Sequence, residues 1–393
     1  MIKKIAIIGS TGSIGNTLID ILSKEKKKFK ILLLSANKNH KSLLKQAIKL
    51  KVKNIILTDK NSFKILKKKC LKKKINVFNN YDCFAKIFKN KIDYVMSSIT
   101  GIDGLYPTIK IIKFTKKIAI ANKESIICGW GLIKKELKNN NTEFVPVDSE
   151  HFSLWFGLNK LDLIDVENMY LTASGGPFYK TPLKDFNKIQ VKQALKHPNW
   201  KMGNKISIDS ATMINKIYEV IEAKNIFNIS YSKIKILIHP NSYVHAIIKF
   251  NNGLIKIIAH DTTMKIPIFN TLFLNSRKNL PTKAISIASL NNLNFDLIRA
   301  NRYPMIKILK HLPANHSLFE TVIVSANDVL VDLYLKQKIR FNDIQKELLE
   351  FVKSKQFLKY KKVCPQNINE ILDLNKYVRL KILKKVYKNY PYE

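Results

Sequence analysis

Two carboxylates one residue apart, in Asp148-Ser149-Glu150, are hard oxygen donors placed side by side, a pattern that suits Mg²⁺ or Mn²⁺. On an extended segment residues two apart project to one face, so the spacing predicts that Asp148 and Glu150 point together. Asp-x-Glu is also common on protein surfaces that bind nothing. A third carboxylate, Glu219, follows in a segment that reads as one helix over about 210–227. There Asn215 and Glu219 are i,i+4 and Lys216 and Glu219 are i,i+3, so an amide, an ammonium and an acid share a face. That face could hold a metal and an anion together, or form a surface Lys216–Glu219 ion pair; the spacing leaves both open.

Three loops carry donors. Gly9-Ser10-Thr11-Gly12-Ser13-Ile14-Gly15 follows the apolar run Ile5–Ile8 and precedes a periodic stretch to Leu22. Strand, glycine turn and helix in that order bring backbone N–H groups and a helix N-terminus to a pyrophosphate. The next strand ends at Ala36-Asn37-Lys38-Asn39, where a carboxylate would bind the 2′-hydroxyl of NAD. A cation stands there instead, which favours the 2′-phosphate of NADP(H), although Lys38 is one Lys among many. Ser174-Gly175-Gly176-Pro177-Phe178 is a donor-rich turn able to cradle a phosphate. His197-Pro198-Asn199-Trp200-Lys201-Met202-Gly203, within a loop of about 194–204, places large apolar groups between Pro and Gly, either as a lid or packed onto the core.

These groups need scaffolds. Apolar runs at 5–8, 31–36, 54–58, 94–99, 117–122 and 143–147 alternate with amphipathic stretches, the βαβ pattern of a doubly wound parallel sheet. The reading is an α/β protein: a Rossmann-like domain over 1–147, an α+β catalytic domain over 148–275, a linker over 276–301 and a helical bundle over 302–393. The strands expected in the second domain are 236–240 and 243–250. Helices are expected at 318–337, 341–355 and 368–387.

The chain has 393 residues and a formal charge of +40, which first suggests nucleic acid. Only Arg277, Arg299, Arg302, Arg340 and Arg379 are Arg; the other 64 basic residues are Lys, spread along the whole chain. Base readout favours the Arg fork, so no specific nucleic-acid partner is expected. No apolar run is long enough for a membrane helix. Cys70, Cys83, Cys128 and Cys364 form no CxxC pair, which fits a reducing cytoplasm.

Seven blocks, in order and spacing, resemble 1-deoxy-D-xylulose 5-phosphate reductoisomerases: GSTGSIG (9–15), ANKES (121–125), PVDSEH (146–151), SGGPF (174–178), HPNWKMG (197–203), SIDSATMINK (207–216) and LIHP (237–240). The resemblance implies an enzyme that uses NADPH and Mg²⁺, Mn²⁺ or Co²⁺ to isomerise and reduce 1-deoxyxylulose 5-phosphate to 2-C-methylerythritol 4-phosphate. It implies Asp148, Glu150 and Glu219 as metal ligands, with Lys123 and Ser149 near the reacting oxygens. It puts Ser174, Ser210, Asn215 and Lys216 at the substrate phosphate, and His197, Trp200 and Met202 in a lid. It adds Asn122, Lys123, Glu124, Met202 and Gly203 to the cofactor contacts of 9–15 and 37–39, and implies a homodimer. The family's usual Gly-Leu before the last acid is Ile217-Tyr218 here, Asn37 stands where Gly is common and Lys265 where Arg is common. Two other readings fit fewer residues: a different two-domain NADP-dependent dehydrogenase, which needs no metal carboxylates, and a polyanion-binding protein with relic motifs.

Overall fold

The computed structural model describes every residue except Met1, Lys26, Lys160, Lys201, Asn275 and 390–393. The chain forms two compact units. The first comprises Met1–Ser125, Gly131–Asp148 and Met264–Pro281; the second comprises Ile126–Trp130, Ser149–Thr263 and Thr282–Glu393.

The first unit is a parallel sheet of β1 (Lys3–Ile8), β2 (Phe29–Ala36), β3 (Asn54–Leu57), β4 (Asn76–Phe78), β5 (Tyr94–Ser97), β6 (Lys117–Ile120) and β7 (Glu143–Pro146). Their order is β4-β3-β2-β1-β5-β6-β7. The chain reverses its direction of winding at β1, whose neighbours are β2 and β5. Six strands coincide with the predicted apolar runs. Short β4 is the unpredicted one, because Asn76-Val77-Phe78 is a three-residue edge strand following a lysine run. Ile5, Ile7, Leu34, Ile55 and Met96 form the core with Leu18 and Leu22 of helix α1 (Ser13–Ser23) and Leu43 and Ala47 of α2 (His40–Lys49). Helix α3 (Lys123–Asn139) starts at the tip of β6.

The second unit has a mixed sheet of β8 (Val166–Ala173), β9 (Ile234–Ile238), β10 (Val244–Phe250), β11 (Ile255–Ala259) and β12 (Asp296–Leu297), ordered β11-β10-β8-β9-β12. Helix α4 (Ser149–Leu158) and α6 (Ile214–Phe227) supply Leu154, Leu158, Val220 and Ala223 to its core. Helices α8 (Phe319–Leu335), α9 (Phe341–Lys353) and α10 (Ile368–Asn389) occupy the predicted helical segments, and α7 (Lys265–Phe273) belongs to the first unit.

Two local expectations are corrected. Ser149 and Glu150 open helix α4, so Asp148-Ser149-Glu150 is not extended; Asp148 sits in the bend before a helix whose first turn holds Glu150. An acid there is favoured by the helix dipole. The 210–227 helix is two helices, α5 (Asn204–Ala211) and α6, broken at Met213, which adopts a left-handed φ of 68°. The 3.6-residue period runs across that break, so the pattern alone hides it.

Candidate active site

In the first unit the glycine turn is made of backbone. Gly9 has φ 86°, and a Cβ there would lie 2.8 Å from the Ser98 carbonyl. A Cβ on Gly15 would meet the Gly9 carbonyl oxygen and the Ser10 Cα at 2.5 Å. The helix and the turn therefore approach each other as only a glycine at position 15 permits. Gly12 is the N-cap of α1 and no side chain caps that helix. Thr11, Gly12, Ser13 and Ile14 remain accessible, so this end can offer N–H donors to an anion.

Ser10 is different. Its N–H donates to the Ser35 carbonyl at 2.8 Å, its hydroxyl donates to Gln46 Oε1 at 2.8 Å, and the residue is fully buried. Its role is to hold the turn on β2. At the β2 tip, Asn37 Nδ2 donates to Thr58 Oγ1 at 2.9 Å and Asn39 caps α2 by accepting from the Ser42 N–H. Lys38 stays exposed between them. Its charge, after the hydrogen bonds from Ser62, helps hold the Asp59 carboxyl below its ordinary range.

At the start of α3, Asn122 accepts from the Ser125 N–H at 2.6 Å and donates to the Ile99 and Gly101 carbonyls. It is a brace for the β5 and β6 tips. The next residue, Lys123, is 7% exposed and places Nζ 3.0 Å from Asp148 Oδ2. Glu124 is buried beside it in sequence. The second segment of the first unit ends at Asp148, immediately before α4.

In the second unit, Lys216 is 4% exposed and its ammonium donates to Glu150 Oε1 at 2.7 Å, to the Thr172 carbonyl at 2.6 Å and to Glu219 Oε2. Asn215 Nδ2 donates to the other Glu219 oxygen at 2.5 Å, and Ser149 Oγ donates to Glu150 Oε2 at 2.5 Å. Burial pulls the ammonium toward its neutral form, but Glu150 and Glu219 outweigh it and hold its pKa above the ordinary 10.5. The expected shared face of 215, 216 and 219 is therefore real, and it is buried against α4 and β8 and not a surface ion pair. Ile217 and Tyr218 are fully buried, and α6 runs helically through them to Phe227.

The two donor loops of this unit meet. Ser174 Oγ lies 3.0 Å from His197 Nε2 and accepts from the Gly176 N–H at 3.1 Å. His197 Nδ1 accepts from the N–H groups of Asn199 and Trp200 at 3.2 and 3.0 Å, so the ring proton sits on Nε2 and is given to Ser174. Burial, with a smaller push from Lys216, brings the His197 pKa down to about 4. With both lone pairs engaged, the Ser174 hydroxyl can only donate outward. Gly176 has φ 69°, and a Cβ there would sit 3.1 Å from the Ser210 carbonyl oxygen. The Ser174 turn and the Ser210 end of α5 are therefore neighbours. Met202 is half-buried and Gly203 is the N-cap of α5.

Asn199 and Trp200 of the third loop are docked on neighbouring residues of this unit. Asn199 Nδ2 donates to the Pro240 carbonyl at 2.6 Å and to Ser242 Oγ at 2.8 Å, while Trp200 meets His245 edge-on at 6.0 Å. Lys201 lies outside the described residues.

Four polar residues escaped the sequence reading. His245 stacks on His260 at 3.7 Å, and burial, then His260, brings its pKa down to about 3. A single His in an apolar strand reads as core, and only β10–β11 pairing brings the two together. His151 Nε2 lies 2.9 Å from the Glu219 carbonyl and its Nδ1 3.4 Å from Glu222 Oε2, tying α4 to α6. His151 closes the PVDSEH block and Glu222 follows Glu219 at i+3, a spacing that could have found them.

Three family profiles match this chain: "1-deoxy-D-xylulose 5-phosphate reductoisomerase" over 5–130, the "1-deoxy-D-xylulose 5-phosphate reductoisomerase C-terminal domain" over 144–227, and the "DXP reductoisomerase C-terminal domain" over 261–381. The chain is 58% identical to the 1-deoxy-D-xylulose 5-phosphate reductoisomerase of Pelagibacter ubique, covering 97% of this chain and 98% of that one. It is 37% identical to that of Clostridium novyi over 87% and 90% of the two chains. Its fold is similar to the reductoisomerase of Zymomonas mobilis solved with NADPH (TM-score 0.87, 28% identity, 98% and 99% coverage). It is also similar to a reductoisomerase solved with NADPH, fosmidomycin and magnesium (TM-score 0.92, 26% identity, full coverage of both). The chain belongs to the 1-deoxy-D-xylulose 5-phosphate reductoisomerase family.

Proposed function

We infer that this chain converts 1-deoxy-D-xylulose 5-phosphate to 2-C-methyl-D-erythritol 4-phosphate with NADPH and a divalent metal ion, a step of non-mevalonate isoprenoid precursor synthesis. The observation that carries the reading is the convergence of Glu150 and Glu219 on one buried cation, the Lys216 ammonium. Two carboxylates that share a positive charge in a buried place are a donor set for a hard cation. Asp148, two residues before Glu150 in the chain, completes a three-acid set. When bound, the metal polarises substrate carbonyl and hydroxyl oxygens and stabilises the charge that develops on them.

The chain's own groups bind and orient. Asn215 fixes one Glu219 oxygen and Ser149 fixes one Glu150 oxygen, so each acid presents its remaining oxygen in a set direction. Lys216 balances both acids and, with Ser174, Ser210 and Asn215, takes the substrate phosphate; anchoring that non-reacting end positions the reacting one. Lys123, ion-paired with Asp148, is assigned to the reacting oxygens. His197, Trp200 and Met202 cover the site and exclude water from an aldehyde that must not escape.

NADPH supplies the hydride. The 9–15 turn fits a pyrophosphate because its close backbone packing at Gly9 and Gly15 leaves the N-terminus of α1, with no side chain capping it, to offer N–H donors. Lys38, with Asn37 and Asn39 shaping the β2 tip, takes the 2′-phosphate. Asn122, Lys123, Glu124, Met202 and Gly203 belong to the nicotinamide side.

The protein acts as a homodimer in the cytoplasm. Supporting the first point, β11 is an edge strand with Ile255 and Ile257 exposed, as is Leu254 just before it, a liability that a second copy would cover. The reaction is tested by NADPH oxidation with 1-deoxyxylulose 5-phosphate. Turnover should vanish with EDTA and return with Mn²⁺; metal-independent turnover would favour a different dehydrogenase.

A further inference from the structure

Residues 302 and 303 lie far in sequence from the Ser174 turn, yet they hold it. Tyr303 Oη donates to the Gly175 carbonyl at 2.8 Å, and Arg302 Nη1 donates to the carbonyls of Phe178 and Thr181, both at 2.8 Å. The Arg302 guanidinium also lies over the Phe186 ring, 5.7 Å from its centroid. Tyr303 is 3% exposed, and burial pushes its pKa up to about 12, so it remains a donor at every working pH.

A trans peptide unit points its C=O and N–H in opposite directions. Fastening the Gly175 carbonyl to Tyr303 therefore aims the Gly176 N–H the other way, at Ser174 Oγ. Gly175 and Gly176 hold φ of 82° and 69°, a conformation with alternatives of similar energy for glycine. The turn needs outside contacts to stay in it. Arg is scarce in this chain, at five residues against 64 Lys, and at this position a planar cation both stacks on Phe186 and reaches two carbonyls.

We propose that Tyr303 and Arg302 are positioning residues that clamp the carbonyl side of the 174–181 turn, so that its donor side, through Gly176 and Ser174, is presented to the phosphate of the substrate. This rests on the assignment of Ser174 to the phosphate. Neither residue touches the substrate; each acts through the turn.

The test is Tyr303→Phe, which removes one hydroxyl and keeps the buried ring. KM for 1-deoxyxylulose 5-phosphate should rise roughly tenfold, as expected for one lost hydrogen bond at a buried site, with kcat within about twofold and NADPH affinity unchanged. Slow turnover of 1-deoxyxylulose without its phosphate should be equal in variant and parent, because the clamp serves only the phosphate. Arg302→Lys should raise KM less than Arg302→Ala. Ser174→Ala, alone and combined with Tyr303→Phe, separates the two claims. If Ser174→Ala leaves KM unchanged, the phosphate assignment fails. If Ser174→Ala raises KM and Tyr303→Phe does not, the clamp alone is wrong. A Tyr303→Phe defect that is equally large without the phosphate, or that adds fully to Ser174→Ala, also overturns the clamp.

Discussion

The glycine turn of the first unit and the lysine–carboxylate cluster of the second are built from different materials. The turn is backbone: its tolerances are set by Cβ atoms that Gly9 and Gly15 do not have. The cluster is side chain: Lys216, Glu150 and Glu219 come from two helices, and Thr172 lends a carbonyl from β8. A backbone site fails when a neighbouring atom is added and is indifferent to charge. A buried ionic site fails when one charge is removed, since the partner is left uncompensated. The two sites should therefore break under different substitutions.

The largest effect is expected from Glu150→Gln, which keeps shape and deletes one charge. Turnover should fall by about three orders of magnitude, the scale of several kcal/mol of lost transition-state stabilisation, while NADPH affinity stays within about twofold. Wild-type turnover at low Mn²⁺ would remove Glu150 from the metal site. Gly15→Ala is the mirror image. An added methyl 2.5 Å from the Gly9 carbonyl must open the turn, so NADPH affinity should drop by about a hundredfold with Mn²⁺ affinity preserved. An unaffected NADPH titration would show that the turn is not the cofactor cradle.

Trp200→Ala should raise substrate KM and lower kcat together, each by roughly tenfold, because covering and water exclusion are both lost. A change in stability with unaltered kinetics would mark Trp200 as packing against His245 alone. Lys38→Asp should narrow the preference for NADPH over NADH by about tenfold, from the lost attraction and added repulsion at the 2′-phosphate. Equal use of both cofactors by the unmodified chain would make that residue irrelevant.

The smallest effect concerns pH. His197 is held at about 4 in the fold against an ordinary 6.5, so the unfolded chain takes up its proton first. The histidine's contribution is present above pH 6.5 and is lost as pH falls from about 6.5 toward 4, where the folded ring also protonates. Thermal unfolding of the parent should therefore weaken across that window more than unfolding of His197→Asn. Parallel curves would mean that the folded ring titrates at its ordinary value.

What could be read from residues alone follows the same division. The glycine turn was legible because strand, glycines and helix are consecutive, and the long apolar strands beside it were legible for the same reason. The acids were legible as candidates, since Asp148 and Glu150 are close in sequence and 215, 216 and 219 share a helix face. Their burial was not, because it depends on α4 and β8 lying against α6. Met213 hid its break inside an unbroken helical period, and β4 was too short to announce itself. His260 and the Arg302–Tyr303 clamp depend on contacts made by strand pairing or across more than a hundred residues of chain. No local pattern encodes such contacts.

The most direct measurement of the central claim is a paired titration of Glu150→Gln and Gly15→Ala, following Mn²⁺ by electron paramagnetic resonance and NADPH by fluorescence on the same samples. The account predicts a double dissociation: Glu150→Gln loses Mn²⁺ and keeps NADPH, and Gly15→Ala does the reverse. Loss of both ligands in either folded variant, or retention of Mn²⁺ by Glu150→Gln, would contradict it.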